Sequence, residues 1–476
     1  MSKPSVPPPD RSISESDWAL TPESVRAYVS KLVEKSKRNS GNSSQPPSQD
    51  SPSQKQNNQA EKPKAERPRG GQAGHEGKGR ASLPLEAVDE VIVYRPECCQ
   101  HCGEVLRGED PAPYRYQVTE LPVVKGRVVE HQVQSLVCEH CQTENRGQLP
   151  AAVAASQFGP QVVRLMTVLM GVYRLSKRQV VRLLAECFQV EIAVGSVVKQ
   201  QQAVSAALAA PVAEVQAYVR QQTVCNMDET RWRQRGQAKT GWLWVVVTKV
   251  ATVFQVALSR SHEVAQALLG PDYAGVVGSD RAGSYTWLAV EQRQVCWSHL
   301  LRDFQRILER GGESFVIGTN RKLQGEYLLA LWARCRDDPS QCAAFLAELP
   351  QIQHLVHDWL SQGAACSDSQ TAKTCVNLLA LEPALWPFAS QPGVEPTNNA
   401  AERALRHPVI WRRLSYGTHS AHGSQFVERS LTTVESCRQQ RRDCLDFVRQ
   451  ALIAHRSGQP APSLLPDPCD VLFVTP

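Results

Sequence analysis

Near residue 221 the hydrophobic pattern of this chain changes period, and after residue 300 it changes back. Between those points lie four short runs, Thr223–Thr230, Trp242–Thr248, Thr252–Ser259 and Gly275–Asp280. They are rich in Val, Trp, Thr and Phe and are parted by turn residues, as β-strands are. Gln294–Ser298 reads as a fifth strand. Apolar residues at helical spacing flank this stretch on both sides, so the chain is expected to be α+β, with one sheet set between helical segments. A length of 476 residues suits about three domains.

On the N-terminal side, Gln161–Tyr173 carries Val162, Val163, Leu165, Met166, Val168, Leu169 and Val172. Ser176 can cap a helix over 177–188, and Ser196 begins a third after a short turn. Helix, tight turn, helix is the outline of a helix-turn-helix, although ordinary helical hairpins share it. On the C-terminal side, 300–390 reads as helical. There follow a helix over Asn398–Arg406, an Arg-rich loop, a helix from about Ser424 to Gln440, and a loosely ordered Pro-rich tail after Ser457.

The first 82 residues differ in kind. Thr21 and Pro22 begin a helix over 21–38 whose apolar face is Val25, Tyr28, Val29, Leu32 and Val33. A lone helix of this length is marginal, so that face wants a partner, either a second copy or the rest of the chain. Residues 39–82 hold Ser, Gln, Asn, Pro, Gly and charge, with alanines as the only apolar side chains apart from proline, and are expected to be disordered. Of the net charge of +6, an excess of five lies between residues 36 and 80, where nine Lys or Arg face four acids. A flexible basic segment suits a polyanion such as nucleic acid, and a solvated linker reads the same way from composition.

No apolar stretch approaches the ~20 residues of a membrane helix. The N-terminus lacks the apolar region of a signal peptide, so a cytoplasmic protein is expected. In that compartment fifteen cysteines read as reduced thiols plus a metal site. Cys99-Gln-His-Cys102 and Cys138-Glu-His-Cys141 are CxxC turns 35 residues apart. Each presents two sulfurs, and together they supply the four tetrahedral ligands of a structural Zn²⁺, with Cys98, His101 and His140 as spares. Such a domain folds largely on metal-binding energy, and four thiolates leave no open position for catalysis.

Three acids draw notice. Asp228 and Asp280 end the first and fourth predicted strands, and Glu402 lies on the helix after the long helical segment. Carboxylates at strand ends gather above a sheet, and three can hold two hard cations. Singly, each also reads as a turn or surface residue. Strand alternation sends Asp228 and Glu229 to opposite faces, so only one of them can be a ligand and Glu229 is expected to point away.

Four motifs then identify a resemblance. They are Met-Asp-Glu-Thr at 227–230, Ser-Asp-Arg-Ala-Gly-Ser-Tyr at 279–285, Val-Cys-Trp-Ser-His-Leu-Leu-Arg-Asp-Phe at 295–304 and Thr-Asn-Asn-Ala-Ala-Glu-Arg-Ala-Leu-Arg at 397–406. With Lys-Arg-Asn-Ser-Gly-Asn-Ser-Ser-Gln-Pro-Pro-Ser at 37–48 and Arg-Gly-Gly-Gln-Ala-Gly-His-Glu-Gly at 69–77, the chain resembles the insertion-sequence-66 type of DDE transposase over roughly residues 20–455. The resemblance implies a ribonuclease-H-like fold in which Asp228, Asp280 and Glu402 bind two Mg²⁺, or Mn²⁺. Thr397 stands where such proteins often have Asp, a departure that bears on local contacts and not on the three acids. His299 matches a recurrent family position, read as a structural histidine first and as active-site support second. Trp232, Trp242 and Trp244 read as core, and Arg403, Arg406, Arg412 and Arg413 either as a DNA-backbone contact or as a solvated face.

The organisation this implies is an N-terminal helix (1–38), a disordered basic linker (39–82), a small zinc-binding domain (83–150) and a helix-turn-helix region (151–215). A ribonuclease-H-like α/β core (216–300 and 391–455) follows, interrupted by a helical insertion (301–390), and then a tail (456–476). The expected activity is a metal-dependent polynucleotidyl transfer, cleaving DNA at element terminal inverted repeats and joining it to a target. A homo-oligomer and accessory proteins of the same element are the expected partners, with no membrane. Two rivals stay open: a non-catalytic zinc and helix-turn-helix DNA-binding regulator, and a nuclease of the same fold without strand transfer.

Overall fold

Five strands do form between residues 224 and 295. They are described here from a computed structural model, which covers residues 81–466. The expected N-terminal helix and nearly all of the basic linker lie outside the described residues.

In chain order the strands are β1 (Ser135–Val137), β2 (Glu144–Arg146), β3 (Val224–Trp232), β4 (Gly241–Val247), β5 (Thr252–Ala257), β6 (Val276–Ser279) and β7 (Arg293–Val295). The main helices are α1 (Pro160–Gly171), α2 (Lys177–Phe188), α3 (Val194–Ala207), α4 (Ala209–Val219), α5 (His262–Leu269), α6 (Trp297–Leu308), α7 (Gly312–Asp337), α8 (Cys342–Ala364), α9 (Ser369–Ala380), α10 (Asn399–Ser415), α11 (Ala421–Gln439) and α12 (Cys444–Arg456). The chain is therefore α+β with a mixed sheet.

Sheet order is β5-β4-β3-β6-β7. β3, β4 and β5 form an antiparallel meander, while β6 and β7 run parallel to β3. Parallel neighbours need a crossover, and helix α5 supplies the one between β5 and β6. The sequence pattern did not reveal this helix. β4 reads Gly-Trp-Leu-Trp-Val-Val-Val, an unbroken apolar run, because both of its faces are covered. The expected fifth strand is shorter than its run: Trp297 and Ser298 already belong to α6.

The free edge of β5 is closed by side chains. Glu428, Thr432 and Ser436 of α11 accept the main-chain N–H groups of Val256 (2.8 Å), Phe254 (3.0 Å) and Thr252 (3.1 Å). Four helical residues advance ~6 Å and two strand residues ~6.6 Å, so the helix keeps step with the strand. An edge that would invite another chain is thereby satisfied within the chain.

Helices α1 to α3 take the places the sequence expected. Ser176 and Gln179 form a reciprocal capping box at α2. They do not stand apart from the sheet: Val163, Val180, Val197 and Val204 share one buried core with Val245 of β4 and Leu452 of α12. A second core begins at Val276, Val295 and Trp297 and continues into α7, α8 and α9, the helical insertion. Residues 83–150 carry the β1–β2 hairpin and otherwise irregular chain, almost all of it exposed.

Three expectations need correction. The Arg-rich loop after Arg406 is helix: α10 runs through Pro408 to Ser415, because Leu405, Pro408 and Trp411 bury one face and His407 and Arg412 bond to Gly171 and Thr230. The tail is docked as far as residue 466: Leu464 is fully buried, and Gln440 and Arg442 hold the carbonyls of Leu464 and Ser463. The cysteines are not all reduced thiols. Cys335 and Cys342 form a disulfide where the end of α7 and the start of α8 bring their Cα atoms to 4.4 Å.

Candidate functional site

The register of the sheet decides which side chains meet. β3 and β6 pair Asn226 with Gly278, and two further residues along each chain set Asp228 beside Asp280. β6 and β7 pair Ser279 with Val295, so the next residues are Asp280 and Cys296. Asp228, in the middle of β3, thus forms a row with Asp280 and Cys296, which directly follow the C-terminal ends of β6 and β7.

Asn398 brings Glu402 to this row. It is buried, donates Nδ2 to the Met227 carbonyl at 2.7 Å, accepts from Asn226 Nδ2 at 3.0 Å, and donates its main-chain N–H to Cys296 Sγ at 3.2 Å. Gly278 makes room for this: a Cβ there would lie 2.5 Å from Asn226 Nδ2. The Asn398 carbonyl accepts from Glu402 N at 3.1 Å, so Glu402 sits one turn into a helix whose start is tied to β3 and to Cys296.

Asp228 accepts the Glu229 N–H at 2.8 Å and Asp280 accepts the Ala282 N–H at 2.8 Å. Burial, then the charges of Glu229, Asp280 and Glu402, push the Asp228 carboxyl up to about 8. Glu402 Oε1 and His299 Nδ1 lie 3.5 Å apart, and each is buried without a hydrogen-bond partner. Arg302 stands 3.7 Å from the same Glu402 oxygen. Burial and the neighbouring Arg302 hold the His299 imidazole below its ordinary range. His299 therefore faces Glu402 from a half-buried position. A cavity of about 310 Å³ opens beside Asp280 and His299, bounded also by Arg281, Arg302, Asp303 and Arg306. Larger cavities of about 390 and 520 Å³ lie elsewhere, against the 233–240 loop and helices α1 and α2.

Sequence reasoning missed the support behind the acids. Glu229 does leave the face of Asp228, but it is not idle. Its buried carboxylate accepts from Arg260 Nε at 2.6 Å and from Tyr285 Oη at 2.6 Å, while Arg260 Nη2 lies 3.9 Å from Asp280. Arg260 also covers Trp242, 5.0 Å from its ring centre, whereas Trp232 and Trp244 are fully buried core. Arg293 of β7 is buried near Asp280, with Nε and Nη2 unpartnered. Nothing local in the sequence marks Arg260. It stands alone after a strand, and only the parallel pairing brings it to Asp280. Arg412 is bonded to Thr230, whereas Arg403, Arg406 and Arg413 are exposed.

A buried carboxylate, Asp228, whose proton affinity is raised by burial and by neighbouring carboxylates, suits a hard divalent cation. Among the described residues, three potential ligand atoms lie within 4.8 Å of one another only at Cys296, His299 and Glu402, so the ligand atoms of Asp228, Asp280 and Glu402 stand further apart than that. The CxxC turns are formed as pairs. The Cys99 thiol is lowered by the Cys102 N–H and Cys141 by Thr143, but the two pairs are not drawn into one cluster.

A family model described as the transposase IS66 family matches residues 157–426. A second, a family of unknown function (DUF6444), matches residues 15–81. The uncharacterized protein y4qI of Sinorhizobium fredii is 26% identical over 220 residues, covering 42% of this chain and 39% of that protein. The chain thus spans about two fifths of the length of that curated relative.

Proposed function

The chain belongs to the IS66 family of transposases, and on that premise we propose that it cleaves DNA strands at element ends and joins them to target DNA. The observation that supports the proposal is the register that sets Asp228 of β3 beside Asp280 after β6, with Glu402 near enough for its charge to act on Asp228. The strand order β5-β4-β3-β6-β7, in which β4 alone runs against the other four strands, supports a ribonuclease-H-like core.

In this reading Asp228, Asp280 and Glu402 hold two Mg²⁺, or Mn²⁺. Bound there, such ions activate water and stabilise a departing 3′-oxygen. The chain's own residues do the rest. Asn398 fixes the start of α10, so Glu402 is presented to β3. Arg260, neutralised by Glu229, steadies Asp280 without occupying it. Arg281 and Arg306 are engaged by Asp303, at 2.6 and 3.0 Å, which leaves the cavity wall rigid beside the site.

The upstream parts serve DNA binding in the same proposal. Cys99, Cys102, Cys138 and Cys141 close on one structural Zn²⁺ and give residues 83–150 the order their exposed chain lacks. Helices α1 to α3 and the basic linker position the element ends. Two ends must be joined, so the working form is an oligomer, with accessory proteins of the element as further partners. Among the described residues no helix is long and apolar enough to cross a membrane.

The test uses the full chain, Mg²⁺, a duplex carrying the element end and a plasmid target. We expect free 3′-hydroxyl ends and end-to-target joints. Cleavage without joints would identify a nuclease, and tight end binding with neither product a regulator.

A further inference from the structure

The geometry points to a second kind of metal site in this chain, one for a soft divalent ion such as Zn²⁺, held by Cys296 Sγ, His299 Nδ1 and Glu402 Oε1. These three ligand atoms lie within 4.8 Å of one another. Two of them, His299 Nδ1 and Glu402 Oε1, are buried and unpartnered 3.5 Å apart. Two acceptor atoms facing each other across a gap call for a cation or a proton between them. The third atom, a sulfur, decides which cation. Mg²⁺ takes oxygen in an octahedron, whereas Zn²⁺ takes sulfur, imidazole and carboxylate in a tetrahedron.

The fold prepares the ligands. Cys296 is placed by its strand register beside Asp280 and is fully buried behind the site. His299 follows three residues later on the first turn of α6, so the two ligands approach from one short segment. The side chains of His299 and Glu402 are 28% and 34% exposed, and the 310 Å³ cavity reaches His299, which gives an ion a way in. Three protein ligands leave the fourth position to water. Arg302 must yield on binding. It can, because its side chain is 30% exposed and its other bond is a long 3.4 Å contact to the Ser298 carbonyl of its own helix. Cys296 binds as thiolate, so its thiol proton passes to solvent, about one per ion.

The consequence rests on the proposed role of Glu402. Glu402 is the ligand common to the soft site and the Asp228–Asp280 site, so Zn²⁺ taken here draws Glu402 toward Cys296 and His299 and competes with Mg²⁺. The binding claim itself is independent of that role.

The experiment is a Zn²⁺ and Co²⁺ titration of the full chain and of two variants, Cys296→Ser and His299→Asn. Both variants keep the CxxC turns, so ions held there cancel. We expect the parent to bind about one more ion per chain than either variant. The extra Co²⁺ should carry a thiolate-to-cobalt absorption band that Cys296→Ser lacks. Equal stoichiometry and equal bands in all three would overturn the site, and circular dichroism identifies a variant that has merely unfolded. If the extra ion binds but no DNA cleavage is ever seen, the site stands and the transposition chemistry falls. If the parent cleaves DNA in Mg²⁺ but binds no extra ion, the soft site falls and the transposition chemistry stands.

Discussion

Asn398 donates its side-chain amide to the main-chain carbonyl of Met227 at 2.7 Å, across 171 residues of chain. With the bonds to Asn226 and Cys296, the side chain and main-chain N–H of this buried residue fasten the start of α10 to β3 and to the residue that precedes α6. Asn398→Ala would leave the Met227 carbonyl and the Asn226 amide unsatisfied, and each such group costs ~1–3 kcal/mol. We expect a loss of that order in denaturant-measured stability. Cleavage should drop further than stability alone explains, because Glu402 loses its fixed start. Unchanged stability would show that α10 is held by other contacts.

Glu229→Gln is a sharper test than its place off the metal-binding face suggests. Removing one partner of a fully buried pair costs ~3–5 kcal/mol, and with Arg260 partly exposed we expect ~1–2 kcal/mol. Freed from Glu229, Arg260 can move the short way to Asp280, now 3.9 Å off. The Mg²⁺ concentration giving half-maximal cleavage should then rise. A variant with the parent's stability and Mg²⁺ requirement would mean that Glu229 is mere packing.

The raised proton affinity of Asp228 has a definite sign. Its carboxyl is pushed from 3.8 up to about 8, chiefly by burial, so between those values the folded state binds a proton that the unfolded chain has released. Its contribution to stability is therefore present at low pH and lost as pH rises toward about 8. The metal-free Asp228→Asn protein should be more stable than the parent at about pH 8, with the gap closing near pH 4. Urea midpoints across that range check this, and Mg²⁺ should narrow the gap by stabilising the parent alone. A gap independent of pH would contradict it.

Residues 83–150 expose Tyr94, Tyr114, Tyr116, Val123 and Val128 and have little core. A structural ion is the natural remedy for so bare a chain. Cys138→Ser should lose about one Zn²⁺ per chain and make this segment the first to be cut by a protease. Retained zinc with unchanged proteolysis would remove the CxxC turns from the account.

The strands, the helices before them and the helical insertion were legible because their hydrophobic periods are strong. Asp228, Asp280 and Glu402 are singled out only by the motifs around them. What the sequence hid depends on pairing between distant segments. Arg260 meets Asp280, and Glu428, Thr432 and Ser436 meet the edge of β5, only once the sheet is assembled. Helix α5 was masked by its brevity, and the length of α10 by Pro408, which usually ends a helix but here is buried. The disulfide was hidden because two cysteines seven residues apart look no different from free ones until α7 and α8 turn back on each other.

The central claim is that Asp228, Asp280 and Glu402 act as one metal-binding set, and Glu402→Ala tests it most directly. Parent and variant should be compared in one assay that reads both binding of the element-end duplex and formation of joined strands in Mg²⁺. The account predicts end binding within about twofold of the parent, since binding is assigned upstream of residue 216, and joined product reduced to background. An effect of ~10³-fold or more is in keeping with the loss of a group on which the transition state depends. Strand joining at the parent's rate by Glu402→Ala would contradict the assignment, and with it the transposition mechanism built on these three acids.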